Sequence, residues 1–260
     1  MVIVAEPAAD TPAPVYVPDA RPRLPDGRRP SLMLEQRMGM ELAQLIASPV
    51  YYGIGVPRGD GSPVLLIPGF MGSDTYLAIL HSWLGRIGYR PYLSGLAINA
   101  GRPMDLVARL LRRVDTIYEQ TGKRMTIIGH SLGGVFGNVL ARLRPDAVKH
   151  VITLGSPIFG DPRSAAHPLV AAMGNVLLRD SSAKDLEHER EMEESLLAGR
   201  VPDGVALSCI YSKEDAVVHW RACFDDDPRT VSFEVRGTHC GLAWNAQAYN
   251  NIARQLLMVA

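Results

Sequence analysis

Gly129-His130-Ser131-Leu132-Gly133-Gly134 places a serine in a G-x-S-x-G pattern. An apolar run, Met125–Ile128, leads into it, and a helical period of Val135, Phe136, Val139, Leu140 and Leu143 leaves it. A serine on so tight a strand-to-helix turn has its hydroxyl held clear of the sheet, as a nucleophile needs. Glycines suit positions 129 and 133, where a Cβ would meet neighbouring backbone. The helix N-terminus behind Ser131 adds partial positive charge where an oxyanion would form. With 24 glycines in 260 residues, chance supplies the bare pattern about once in eight such chains. The strand before and the helix after make it specific.

A serine hydroxyl becomes a nucleophile when a base takes its proton and a third group orients that base. Around turns of this kind the partners follow the serine in the order carboxylate, then histidine. The apolar run Val205–Tyr211 ends in Ser212-Lys213-Glu214-Asp215-Ala216-Val217-Val218, which offers two carboxylates. The S-x-x-D-x-x-V spacing sets Asp215 deeper in the turn and favours it over Glu214. Val231–Val235 is followed by Arg236-Gly237-Thr238-His239-Cys240-Gly241 and a last helical stretch, so His239 falls in a loop after the final strand. His219 is its rival, four residues after Asp215 and too close to sit opposite it. His130 belongs to the turn itself, and His81, His150, His167 and His188 fall in helices, a strand and the insertion described below.

An oxyanion needs two backbone donors. Ile67-Pro68-Gly69-Phe70-Met71-Gly72 supplies the N–H of Phe70, and the serine turn supplies that of Leu132. Candidate walls of a substrate pocket are Met71, Tyr76, Ile158, Phe159, Val217 and Trp220, nearly all apolar and suited to an uncharged hydrophobic group.

Positioning these loops requires alternating strands and helices. Short apolar runs at Val64–Ile67, Arg90–Leu93, Met125–Ile128, Val148–Leu154, Val205–Tyr211 and Val231–Val235 are separated by helical periods, the last from Ala246 to Met258. That rhythm predicts an α/β fold with a doubly wound, mostly parallel sheet of about six strands. About fifty residues between Gly155 and Val205 carry no strand signal. The spacing there predicts a helical cap over residues 160–202, with Pro168–Leu178 as its apolar helix and Ala183–Leu197 as its charged one. Leu169, Val170, Met173, Val176 and Leu177 would face Ser131. Ser31 opens another helix, with Leu34, Met38, Leu42, Leu45 and Ile46 on one stripe, and Pro49 closes it. Residues 1–30 hold seven prolines and read as an extended arm; residues 31–260 read as a single domain.

Lys+Arg and Asp+Glu number 27 each, so no net charge recommends a nucleic acid partner. No run is long and apolar enough to span a membrane, and no basic n-region marks a secretory signal. A cytoplasmic chain with reduced thiols is the expectation, since Cys209, Cys223 and Cys240 are odd in number and lack metal-site spacing. A Cys223–Cys240 bridge is the one pairing that their placement near the site allows. Neither a cofactor nor a metal is expected. The arm and the helix after it offer a surface for homo-oligomer formation.

From Pro63 onward the chain resembles α/β-hydrolases, and especially bacterial lipases and esterases with P-G-F after the first strand and G-H-S-L-G-G at the nucleophile elbow. The resemblance implies a triad of Ser131, Asp215 and His239, with Phe70 and Leu132 as oxyanion donors. It also implies hydrolysis of a carboxylic ester with a hydrophobic acyl or alcohol part through an acyl-enzyme. Thioesterase, lactonase or acyltransferase chemistry would use the same triad. A non-catalytic ligand-binding protein on the same fold is the reading from another class.

Overall fold

The computed structural model describes residues 30–159, 199–224 and 227–258. The Pro-rich arm up to residue 29 lies outside the described residues, as do residues 160–198 of the expected cap, with both its expected helices.

Strands β1 (Pro63–Ile67), β2 (Arg90–Leu93), β3 (Met125–His130), β4 (Val148–Leu154), β5 (Ala206–Tyr211) and β6 (Thr230–Glu234) form one sheet in the order β2-β1-β3-β4-β5-β6. Every pairing is parallel. All five residues of β1 are buried, as a parallel strand covered on both faces requires. Its side chains alternate between two cores: Val64 and Leu66 enter one, Leu65 and Ile67 the other.

Helices cover both faces. The core holding Val64 and Leu66 also takes Leu45 of α1 (Met38–Ala47), Leu80, Trp83 and Leu84 of α2 (Ala78–Arg86), and Tyr249, Ile252 and Leu256 of α5 (Ala246–Met258). The opposite core is closed by Leu106, Leu110, Val114 and Ile117 of α3 (Pro103–Thr121), with Val135, Phe136, Val139 and Leu140 of α4 (Leu132–Leu143). In α3 the apolar residues recur at helical spacing, Pro103 opens it, and Gly122 in the left-handed conformation ends it. The sheet is therefore doubly wound, and every strand's carboxyl end points to the same edge.

The helix after Ser31 departs from the expected pattern. Ser31 caps a 3₁₀ stretch, Leu32–Arg37, which runs into α1. Of the apolar stripe only Leu45 is buried, whereas Met38 and Ile46 are 40% and 43% exposed. The other buried residue of α1 is a carboxylate, Glu41. Polar anchoring, described below, overrides the apolar period.

One polar network is buried in the sheet. The Nε2–H of His150 donates to Ser208 Oγ at 2.9 Å, and that hydroxyl donates to Gln255 Oε1 at 2.9 Å. Burial, and then the charge of Lys149, pull the His150 imidazole down to about 3. The folded ring is thus neutral where the unfolded one would protonate, so its contribution to stability is present above pH ~6.5 and is lost as pH falls toward 3. Between pH 7 and pH 5 urea unfolding should show a loss of about 2 kcal/mol from this residue. His150→Leu, which leaves Ser208 donating to Gln255, should flatten that slope, and equal slopes in both proteins would contradict it.

Candidate functional site

Ser131 sits between the last residue of β3 and the first of α4, at φ 53° and ψ −123°. Only two described non-glycine residues have positive φ, Ser131 and Met71, and such a backbone survives only where its surroundings enforce it. Here the enforcement is steric. A Cβ on Gly129 would overlap the backbone of Gly133 and Gly134, and one on Gly133 would overlap the Ile67 carbonyl. Strand, turn and helix therefore pack backbone against backbone, and the Ser131 N–H is tied to Leu154 O of β4 at 2.8 Å.

Met71, the second strained residue, belongs to the loop after β1. Asn99 braces that loop three times: its carbonyl accepts from Met71 N–H at 3.0 Å, its N–H donates to Gly72 O at 2.8 Å, and its amide donates to Pro68 O at 2.7 Å. The loop runs against the elbow, since a Cβ on Gly69 would lie 3.0 Å from Ser131 Cβ. The N–H of Phe70, between Gly69 and Met71, makes no hydrogen bond to another described residue.

Asp215 and His239, the carboxylate and the histidine expected from the sequence, come from the loops after β5 and β6. Asp215 is 4% exposed. Its Oδ1 accepts from the N–H groups of Val217 and Val218 at 2.8 and 2.7 Å, which leaves Oδ2 to His239 Nδ1 at 2.6 Å. A carboxylate only accepts, so Nδ1 carries the hydrogen and neutral His239 keeps its lone pair on Nε2. Glu214 points elsewhere, 3.5 Å from Arg37. His219 caps its own turn through Arg221 N–H. His130 turns from the serine and donates through Nε2 to His239 O at 2.9 Å, its ring 4.8 Å from that of His239.

The two rings differ electrostatically. For His239 burial pushes the imidazole down, but the charge and hydrogen bond of Asp215, helped by Glu35, outweigh it and raise the pKa. For His130, burial and then His239 bring it down to about 3 against one hydrogen bond, so it stays neutral. No disulfide joins Cys223 and Cys240. Burial first, with nearby carboxylates, raises the Cys223 thiol and pushes that of Cys240 up to about 12, so neither supplies a thiolate at neutral pH.

The expected wall residues divide. Met71 is 46% exposed beside the elbow. Tyr76 stacks obliquely on His130 and Trp244, and its hydroxyl donates to Cys240 O, so it buttresses the histidine loop. Ile158 is buried in the core, with Phe159 packed against the same cluster. Val217 lends its N–H to Asp215. Trp220 stacks with Tyr211 and Phe224, under Lys213 and Arg221. A cavity of about 360 Å³ at the amino ends of β5 and β6, lined by Val201, Val205 and Leu207 with Lys149, Asp203 and Arg229, contains none of the residues of the serine, carboxylate and histidine loops.

Three residues that sequence reasoning missed hold the site together. Asn99 braces the Phe70 loop. Glu35 and Glu41 reach from the N-terminal helical segment to the histidine loop: Glu35 accepts from His239 N–H and Cys240 N–H, and Glu41 from Thr238. No local motif marks them.

A family model described as a PGAP1-like alpha/beta domain matches residues 99–198. A triacylglycerol lipase of Burkholderia plantarii is 28% identical over 155 residues, 51% of this chain and 43% of the lipase. One of Pseudarthrobacter phenanthrenivorans is 29% identical over 137 residues, 44% of this chain and 43% of that lipase. The matches thus span less than half the length of these relatives. Among solved structures, a monoacylglycerol lipase of Paleococcus ferrophilus superposes with a TM-score of 0.56 at 15% identity, covering 79% of this chain and 97% of the other. The Bacillus licheniformis lipase BlEst2 gives 0.55 at 13% identity, covering 78% and 95%. The fold is that of the α/β-hydrolases. No helix among the described residues is long and apolar enough to cross a membrane.

The Asp215–His239 bond sets the charge behaviour of the histidine. Asp215→Asn should lower the His239 titration midpoint in ¹H–¹⁵N NMR by about one unit or more, because the imidazolium loses its counter-charge. Glu214→Gln should leave that midpoint in place. The reverse ranking would assign the acid to Glu214.

Proposed function

We propose that this chain, an α/β-hydrolase by its fold, hydrolyses carboxylic esters with a hydrophobic acyl or alcohol part through Ser131, His239 and Asp215. The observation that carries this reading is the 2.6 Å Asp215–His239 bond, which fixes a free Nε2 lone pair on the sheet edge where the strained elbow presents Ser131. The lipase relatives agree with it.

In this mechanism His239 Nε2 takes the Ser131 proton as Oγ attacks the ester carbonyl. The N–H groups of Phe70 and Leu132 receive the oxyanion, the second aided by the amino end of α4. Collapse breaks the carbonyl–alkoxy bond, and the imidazolium returns its proton to the leaving alcohol. Water, deprotonated by the same nitrogen, attacks the acyl carbon; the carbonyl–Oγ bond breaks as the imidazolium returns the proton to Ser131 Oγ, and the acid is released. Asp215 stabilises the imidazolium in both halves. The exposed apolar side chain of Met71 beside the elbow favours a hydrophobic substrate.

Ser131→Ala should keep the fold and lower hydrolysis of p-nitrophenyl esters by at least ~10³-fold. In the parent protein kcat/KM should rise with pH as His239 loses its proton, at a midpoint above the ~6.5 of a free histidine, given the raised pKa of that ring. A Ser131→Ala protein with a tenth of the parent rate would remove Ser131 from the mechanism.

A further inference from the structure

We infer that Glu35 is a positioning residue, a carboxylate that fastens the loop carrying His239 to the loop carrying Asp215. The inference rests on the proposed function for its meaning, but its geometry stands alone. Glu35 Oε1 accepts from the N–H of His239 itself at 3.0 Å and from Ala216 N–H, next to Asp215, at 3.4 Å. Its Oε2 accepts from Cys240 N–H at 2.9 Å. One side chain, 181 and 204 residues distant along the sequence from the two loops, thus bridges the acid and the base from behind.

The rest of the segment completes the grip. Glu41 accepts from Thr238 N–H at 2.9 Å and from Thr238 Oγ1 at 3.1 Å. Three consecutive N–H groups, those of residues 238, 239 and 240, therefore end on carboxylates of one helical segment. The fit is close: a Cβ on Gly241 would overlap the Glu41 carboxylate. Glu41 is buried at 6% exposure, and burial raises its pKa against the hydrogen bonds of Thr238 and the charge of Arg37. Arg37 in turn meets Glu214 of the acid loop. The helical segment is fastened to both loops by polar contacts, with Leu45 as its one fully buried apolar anchor.

The consequence for chemistry is geometric first. A histidine base works only while Nδ1 stays on Asp215 and Nε2 faces the nucleophile. The His239–Asp215 bond joins two loops that belong to different strands, and the sheet itself does not fix the distance between their tips. Glu35 does. It also places a second carboxylate near the imidazolium that forms during each proton transfer. The charged or titrating groups facing His239 are then Asp215 from the β5 loop, His130 from the elbow, Cys240 from its own loop, and Glu35 with Glu41 from the helical segment.

Glu35→Gln keeps the size of the side chain but replaces one acceptor oxygen with a donor that opposes Cys240 N–H. Ester hydrolysis by the full chain should fall about ten- to a hundredfold in kcat with KM within about twofold, since a small misplacement at the reacting groups is costly. The acidic limb of kcat/KM, and the His239 midpoint read by NMR, should both move down by about half a unit or more. Glu35→Asp, which keeps the charge, should hold the midpoint nearer the parent value. A purely structural role would lower the melting temperature of Glu35→Gln and leave kcat and the His239 midpoint where they were, and that result overturns the inference. The NMR midpoint requires no turnover, so a parent protein without ester hydrolysis would overturn the proposed function, while the midpoint would still decide the clamp.

Discussion

At φ 53°, Ser131 has a backbone that an L-residue adopts at a cost of roughly 1–3 kcal/mol. The rest of the site follows from holding it there. The turn closes only if β3 and α4 meet backbone to backbone, which requires glycine at 129 and 133. It also requires β1 to lie beside β3 in register, since Gly133 packs on the Ile67 carbonyl. The loop that leaves β1 is then forced past the serine, and Asn99 locks it with three hydrogen bonds. The close approach of β1, β3 and α4, and the course of the Phe70 loop past the serine, all go with that one strained residue.

Electrostatics imposes the second constraint. Removing a carboxylate from water is unfavourable unless its lone pairs are satisfied. Asp215 meets that demand with two backbone N–H groups and the His239 ring. The same arrangement makes the imidazole more basic than its burial alone would allow. His130, buried beside it without a carboxylate of its own, goes the other way. Two adjacent histidines thus differ in basicity, one made more basic by its carboxylate and one a neutral prop under the His239 carbonyl. Glu35 and Glu41 extend the same logic outward, with carboxylates used as acceptors for a loop whose N–H groups have no strand to pair with.

Much of this was legible in the sequence. β1 announces itself most clearly, because it is buried on both faces and reads as a continuous apolar run, while β3 and the second half of β4 read nearly so. The elbow is local, so its glycines and serine stand together in the chain. The S-x-x-D-x-x-V spacing ranked Asp215 before Glu214, and it is Asp215 that accepts from the N–H groups of Val217 and Val218 and from the His239 ring. Legibility ended where contacts are long-range and carry no period. Glu35 reads as an ordinary first-turn acid, Glu41 as a solvated helix face and Asn99 as a loop residue. Each acquires its role from a partner loop far away in sequence. The stripe from Leu34 to Ile46 misled in part: Leu45 enters the core as the helical period predicts, while carboxylate-to-backbone bonds hold the segment to the histidine loop. Tyr76 and Trp220 were legible as aromatic and near the site, but their ring and hydroxyl partners were not.

The central claim is that Ser131 is the activated nucleophile of this sheet edge. Intact-mass measurement of the folded protein after treatment with a fluorophosphonate tests it most directly, because phosphonylation needs an activated hydroxyl and no knowledge of the natural substrate. The account predicts a single adduct per chain, mapped by peptide fragmentation to Ser131. Folded protein that stays unmodified, or an adduct mapped to any other residue, would contradict it.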